Sequence, residues 1–165
     1  IFVIHKNKNH MKKLLLFFTA LMMIGIANAQ SNKEEVDFMQ SLFGMQKKAM
    51  VSDFMKLTGT KADAFWKLYD EYEVTRKDLG KKRIDLLEQY VNNYESMAPE
   101  TADKWMNEVI KQGQATDNLL LKYYKKIKIA TDPVNALKFW HVENYILTSI
   151  RQSIMSEIPF VEARK

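Results

Sequence analysis

The chain contains no cysteine, and only five glycines, three prolines and three histidines. Without thiols it cannot form disulfides, a cysteine nucleophile or a thiolate-held metal cluster, so packing has to supply its stability. The glycines are scattered singly, at Gly44, Gly59, Gly80 and Gly113 after the first 29 residues, which excludes a glycine-rich loop that cradles phosphate. Two of the histidines, His5 and His10, precede Met11, and His141 alone cannot build a multi-histidine metal site within one chain. His141 and Glu143 are two residues apart on a predicted helix and face different ways, so no metal and no cofactor is expected. Acid pairs such as Asp70–Glu71 and Glu34–Glu35 read as solvated helix faces. The pattern is that of a non-enzyme.

What is present begins with a leader. Lys12 and Lys13 precede an apolar run from Leu14 to Ile26, and Ala27-Asn28-Ala29 follows, which is the three-part pattern of a secretory signal peptide. The run is too short for a bilayer-spanning helix, which needs about 20 residues. Residues 1–10 read as upstream translation, 11–29 as the signal peptide with cleavage after Ala29, and 30–165 as one helical domain without stable membrane insertion. Four of the 25 basic residues and none of the 20 acidic ones precede Ala29, leaving 21 against 20, a net charge near +1. The precursor's pI of about 9.2 therefore belongs largely to the leader, and a nucleic-acid partner is not expected.

The remainder reads as four long helices and no strand. The first spans Glu34 to Met55, with a methionine- and phenylalanine-rich face that includes Phe38, Met39, Leu42, Phe43, Met50, Phe54 and Met55. Thr58 is the expected N-cap of a second helix reaching about Ser96, its hydroxyl accepting from a first-turn amide. Pro99 suits the first turn of a third helix ending near Ile129, and Asp132-Pro133 repeats the device for a fourth ending near Glu157. "LTGTKADAFW" from Leu57 and "MAPETADKWM" from Met97 share an Ala-Asp pair at a 40-residue offset, suggesting two related helix-entry modules.

Each of the last three helices shows a seam with steps of three and four. In the second it is Phe65, Tyr69, Tyr72, Arg76, Leu79, Arg83, Leu86 and Tyr90. The third has Ala102, Met106, Val109, Gly113, Thr116, Leu120, Tyr123 and Ile127, and the fourth Ala136, Trp140, Glu143, Leu147, Ile150 and Ile154. Such seams with short connections predict an all-α, elongated bundle or hairpin of about four long antiparallel helices. Charges in the seam need partners, so Glu143 is expected to pair with Arg76 or Arg83, with Tyr69, Tyr72 or Trp140 stacked nearby. The alternative is that the arginines reach solvent from a half-covered seam.

The motif positions Leu57, Thr58, Phe65, Trp66, Tyr69, Tyr72 and Leu79, with a weaker second set at Met97, resemble the Spy/CpxP-like periplasmic proteins marked by LTxxQ motifs. The likeness is greatest to their relatives in Bacteroidetes-type bacteria. The motif glutamine is replaced here by Lys61 and Thr101, and the second Leu-Thr by Met97-Ala98. The resemblance implies a long-helix hairpin, often a cradle-shaped dimer. It implies an ATP-independent chaperone of the periplasm or a modulator of envelope-stress signalling, and so two classes of partner. One is partly unfolded polypeptides, bound through Phe38, Met39, Leu42, Phe43, Arg76 and Arg83. The other is a single envelope signalling protein to which the chain serves as adaptor. Some members sense metals through histidine-rich sites, a branch that a lone His141 does not support.

Overall fold

In a computed structural model that describes residues 33–158, and side chains from Gly44 onward except that of Glu157, the chain is all-α. Its helices are α1 (Lys33–Met55), α2 (Gly59–Val91), α3 (Pro99–Ala130) and α4 (Pro133–Glu157). No helix among the described residues is long and apolar enough to cross a membrane.

The boundaries follow local chemistry. Pro99 and Pro133 occupy first turns, where a missing donor costs nothing, and Asp132 caps α4 by accepting from the Asn135 amide at 2.9 Å. Thr58 stands at the N-cap of α2 in an extended conformation, but its hydroxyl makes no capping bond, which corrects that part of the expectation. α2 stops at Val91, short of Ser96. The Asn93 side chain takes the Gln89 carbonyl at 2.7 Å, the Asn93 amide turns to Tyr90, and the chain leaves the helix in a turn. At 1.5 Å per residue, α2 and α3 are rods of roughly 50 Å.

α2 and α3 form an antiparallel hairpin along most of their length, and α4 folds back along α3. Trp105 Nε1 donates to the Leu86 carbonyl at 2.7 Å near the tip, Gln112 Nε2 to the Leu79 carbonyl at 3.1 Å, and Tyr72 meets Tyr123 edge-on at 5.5 Å. α4 runs parallel to α2, with Lys61 on Asp132 at one end and Tyr72 on Glu143 further along. α1 lies antiparallel to α2, in the groove between α2 and α4.

The core is a file of rings, Phe65, Tyr69, Tyr72, Tyr123 and Phe139, with Val51, Met55, Ile127, Ala136, Val142 and Ile146 around them. Phe139 stands edge-on to both Tyr69 and Tyr72, an arrangement worth about 0.5–1.5 kcal/mol per pair beyond area burial. The α2 seam is as expected: Phe65, Tyr69, Tyr72, Arg76 and Tyr90 are buried, and Leu79, Arg83 and Leu86 half-buried. Two seams are corrected. In α4, Phe139 and Ile146 fill the core, whereas Trp140 is 37 % exposed and Leu147 only half-buried. In α3, Trp105 turns inward and Met106 outward.

Candidate functional site

Two features of this fold could do chemistry or bind a partner. The first is a buried polar cluster where α1, α2 and α4 meet. Glu143 on α4 is fully buried among aromatic rings, where a lone carboxylate would be far too costly, so the fold must neutralise it. It does so from two helices at once. Lys47 on α1, 1 % exposed, places Nζ at 2.7 Å from Glu143 Oε2, the Tyr72 hydroxyl donates to the same oxygen at 2.7 Å, and the Tyr69 hydroxyl donates to Oε1 at 3.2 Å. The same ammonium sits 2.6 Å from Glu73 Oε1 and within 5.6 Å of both tyrosine ring centres. Arg76 closes the chain, its Nε donating to Glu73 Oε1 at 2.8 Å.

Two acids and two bases thus share one enclosure, with no net formal charge. Burial pushes the Tyr69 and Tyr72 hydroxyls well above their ordinary range, and the Glu143 carboxylate adds to it. For Glu73, burial alone would raise the carboxyl, but Lys47 and Arg76 together outweigh it and hold it below its usual range. Arg76 is likewise opposed by burial and held protonated by Glu73.

The expected arginine partner of Glu143 is therefore corrected. Its cation is Lys47, from α1, for which spacing gave an apolar face but no seam, and Arg76 joins through Glu73. Arg83 lies two turns further along α2, half-buried, with Nη1 3.5 Å from Gln112 Oε1. Burial and the nearby Arg151 lower its affinity for its proton. Tyr69 and Tyr72 do gather at Glu143 as expected. Trp140 does not, since its ring lies against His141 on the outside. Arg76 is 8 % exposed, so at this level the seam is closed and not an open face.

With both acids neutralised and enclosed, the cluster is built to hold three helices in register. Among the described residues no group of three or more histidine, cysteine or carboxylate side chains could hold a metal ion. His141 is exposed while the Glu143 carboxylate is buried, which separates the one pair that sequence spacing brings close.

The second feature is the outer flank of α3 and α4. Met106, Ile110 and Leu121 lie on one stripe of α3, at steps of four and eleven, each nearly half exposed. Asp117 belongs to the same stripe. On α4, Leu137, Trp140 and Met155 share a stripe with Arg151 and are similarly exposed. Arg151 Nη2 approaches Asp117 Oδ1 at 3.8 Å, so the two stripes border one groove. Lys125 and Lys128 continue the α3 stripe from Leu121 and are exposed. At the α3–α4 corner Ile129 is 88 % exposed. No family model, curated protein or solved structure matches the chain.

Spacing alone did not single out this flank, because Trp140 on α4 and Met106 on α3 were assigned to their seams and Leu137 and Met155 to none. The signal was present as two adjacent apolar pairs, Phe139-Trp140 and Ile146-Leu147, only one member of each fitting a narrow core. The expected binding residues Phe38, Met39, Leu42 and Phe43 lie in α1, and their side chains fall outside the described residues.

Proposed function

We propose that the chain is an exported periplasmic protein that binds partly unfolded polypeptides without nucleotide, a chaperone-like component of the envelope-stress response. The observation that carries this reading is the α3–α4 flank: large apolar side chains, including a tryptophan and two methionines, held half exposed at helical spacing on α3 and α4 and bordered by lysines. Isolated exposed apolar residues are ordinary, but a run of them at helical spacing on two adjacent helices marks an interaction surface. Methionine and tryptophan suit it to many partners, because one side chain is flexible and polarisable and the other offers a wide amphipathic face. Contacts of this kind are weak singly, which allows a bound segment to leave and resume folding. The leader at residues 11–29 and the resemblance to Spy/CpxP-like proteins support the periplasmic placement.

The test is light scattering of an aggregating unfolded protein, with and without the purified chain and in the absence of nucleotide. Suppression near a one-to-one ratio is the expected result. A folded, helical chain that suppresses nothing, yet binds one envelope membrane protein saturably, would replace this reading with that of a dedicated signalling adaptor.

A further inference from the structure

We infer that the groove holding α1 also accepts α1 from a second copy of this chain, so that two copies exchange their first helices and form a reciprocal homodimer. The inference is independent of what the α3–α4 flank binds. Its first support is the hinge. α1 and α2 are joined by three residues, Lys56, Leu57 and Thr58, and the reversal is achieved with Lys56 at φ +49 and Gly59 at φ +61. Lys56 has a side chain in the left-handed region that favours glycine, so the closed form contains local strain that a continuous α1–α2 helix would relieve. Short strained hinges are the setting in which elements exchange between copies.

The second support is the nature of the grip on α1. Lys47 inserts between Glu73 and Glu143, Lys48 pairs with Asp70, and Val51 and Met55 are buried one and two turns further on. These contacts specify α1 by charge and spacing, and any copy of α1 satisfies them equally. The directions also agree. α1 runs antiparallel to α2 within one chain, and straightening the hinge about a two-fold axis beside Lys56 lays it antiparallel to the α2 of a second copy. α2, α3 and α4 stay together in either form, tied by Tyr72 to Tyr123, by Phe139 and by Lys61 to Asp132.

The test is a charge exchange between two variants, purified from cells expressing the whole sequence and checked for helicity. Lys47→Glu and Glu73→Lys each mismatch the cluster in their own monomer and in their own exchanged dimer. Mixed, the unchanged Lys47 of the Glu73→Lys variant meets the unchanged Glu73 and Glu143 of the Lys47→Glu variant, so one half of the dimer regains the full native set, which neither homodimer contains in either half. The expected result is that the mixture dimerises, as read by light scattering coupled to size exclusion, at least tenfold more strongly than either variant alone. Should either variant fail to fold, the hinge supplies the measurement. Lys56→Gly relaxes the closed turn and shifts the equilibrium toward monomer. Gly59→Ala strains the turn and favours the continuous helix, shifting it toward dimer by about tenfold. Dimers without preference for the mixed pair, or a chain that stays monomeric even with Gly59→Ala, would overturn the inference.

Discussion

Replacing Glu143 with alanine should be among the most destabilising single changes this chain can suffer, for reasons that can be followed atom by atom. The carboxylate is fully buried and receives the Lys47 ammonium and the hydroxyls of Tyr69 and Tyr72. Its loss leaves Lys47 enclosed with Glu73 alone and strands two buried hydroxyl donors. Breaking a buried ion pair from one side costs about 3–5 kcal/mol, and each unsatisfied hydroxyl adds about 1 kcal/mol or more unless it finds another acceptor. A net loss of about 4 kcal/mol corresponds to a fall in Tm of about 10–15 °C for a domain of this size. Glu143→Gln, which keeps an acceptor for the tyrosines, should lose about half as much. Lys47→Met combined with Glu143→Gln should be less harmful than the sum of the two single changes, with a coupling of about 2 kcal/mol. Urea denaturation followed by far-UV circular dichroism supplies all of these values. If Glu143→Ala loses less than 1 kcal/mol, the cluster does not hold α1 to α2 and α4, and the reasoning fails.

Other consequences can be checked on the same protein. Phe139→Ala should lose about 3–5 kcal/mol, because the ring is fully enclosed, whereas Trp140→Ala should change stability by less than about 1 kcal/mol while weakening suppression of aggregation. Asp132→Ala should lower Tm, since three hydrogen bonds converge on its carboxylate, whereas Thr58→Ala should leave Tm unchanged because the Thr58 hydroxyl makes no capping bond. Glu73 has a folded-state pKa below its ordinary 4.5, so its contribution is present above that pH and is lost as pH falls through the folded value; midpoints in urea should decline below about pH 4.5. Tyr69 and Tyr72 are shifted the other way. Their contribution is intact below pH 10 and lost above it, and absorbance at 295 nm should show both ionising only as the chain unfolds.

The sequence disclosed the fold more fully than the site, and the reason lies in the seams. In α2 the apolar and aromatic positions recur at steps of four and three without a rival stripe, so all eight were readable. In α4 the residues Ala136, Glu143 and Ile150 are seven apart and fix one edge of the seam, but the intervening position falls three or four residues on, at Phe139 or Trp140 and at Ile146 or Leu147. Both choices are apolar. Packing against α1 decides for the first, since it is on that flank that Lys47 reaches Glu143. Lys47 itself was missed because it stands beside Lys48 and reads as a solvated pair. Its stripe with Val51 and Met55, at steps of four, was the available clue. A seam holding an acid beside tyrosines calls for a cation, but spacing within one helix cannot say which other helix provides it.

The most direct test of the proposed polypeptide-binding surface is a titration of the ¹⁵N-labelled chain with an unlabelled, permanently unfolded protein, followed by NMR. The chain's three tryptophans give three indole N–H signals: Trp140 on the α3–α4 flank, Trp66 half-buried at the core, and Trp105 hydrogen-bonded to the Leu86 carbonyl. Binding on the flank predicts that the Trp140 indole and the amides around Ile110, Leu121 and Leu137 shift progressively, with Trp66 and Trp105 unmoved. Shifts confined to any other surface, or none at millimolar client, would contradict it.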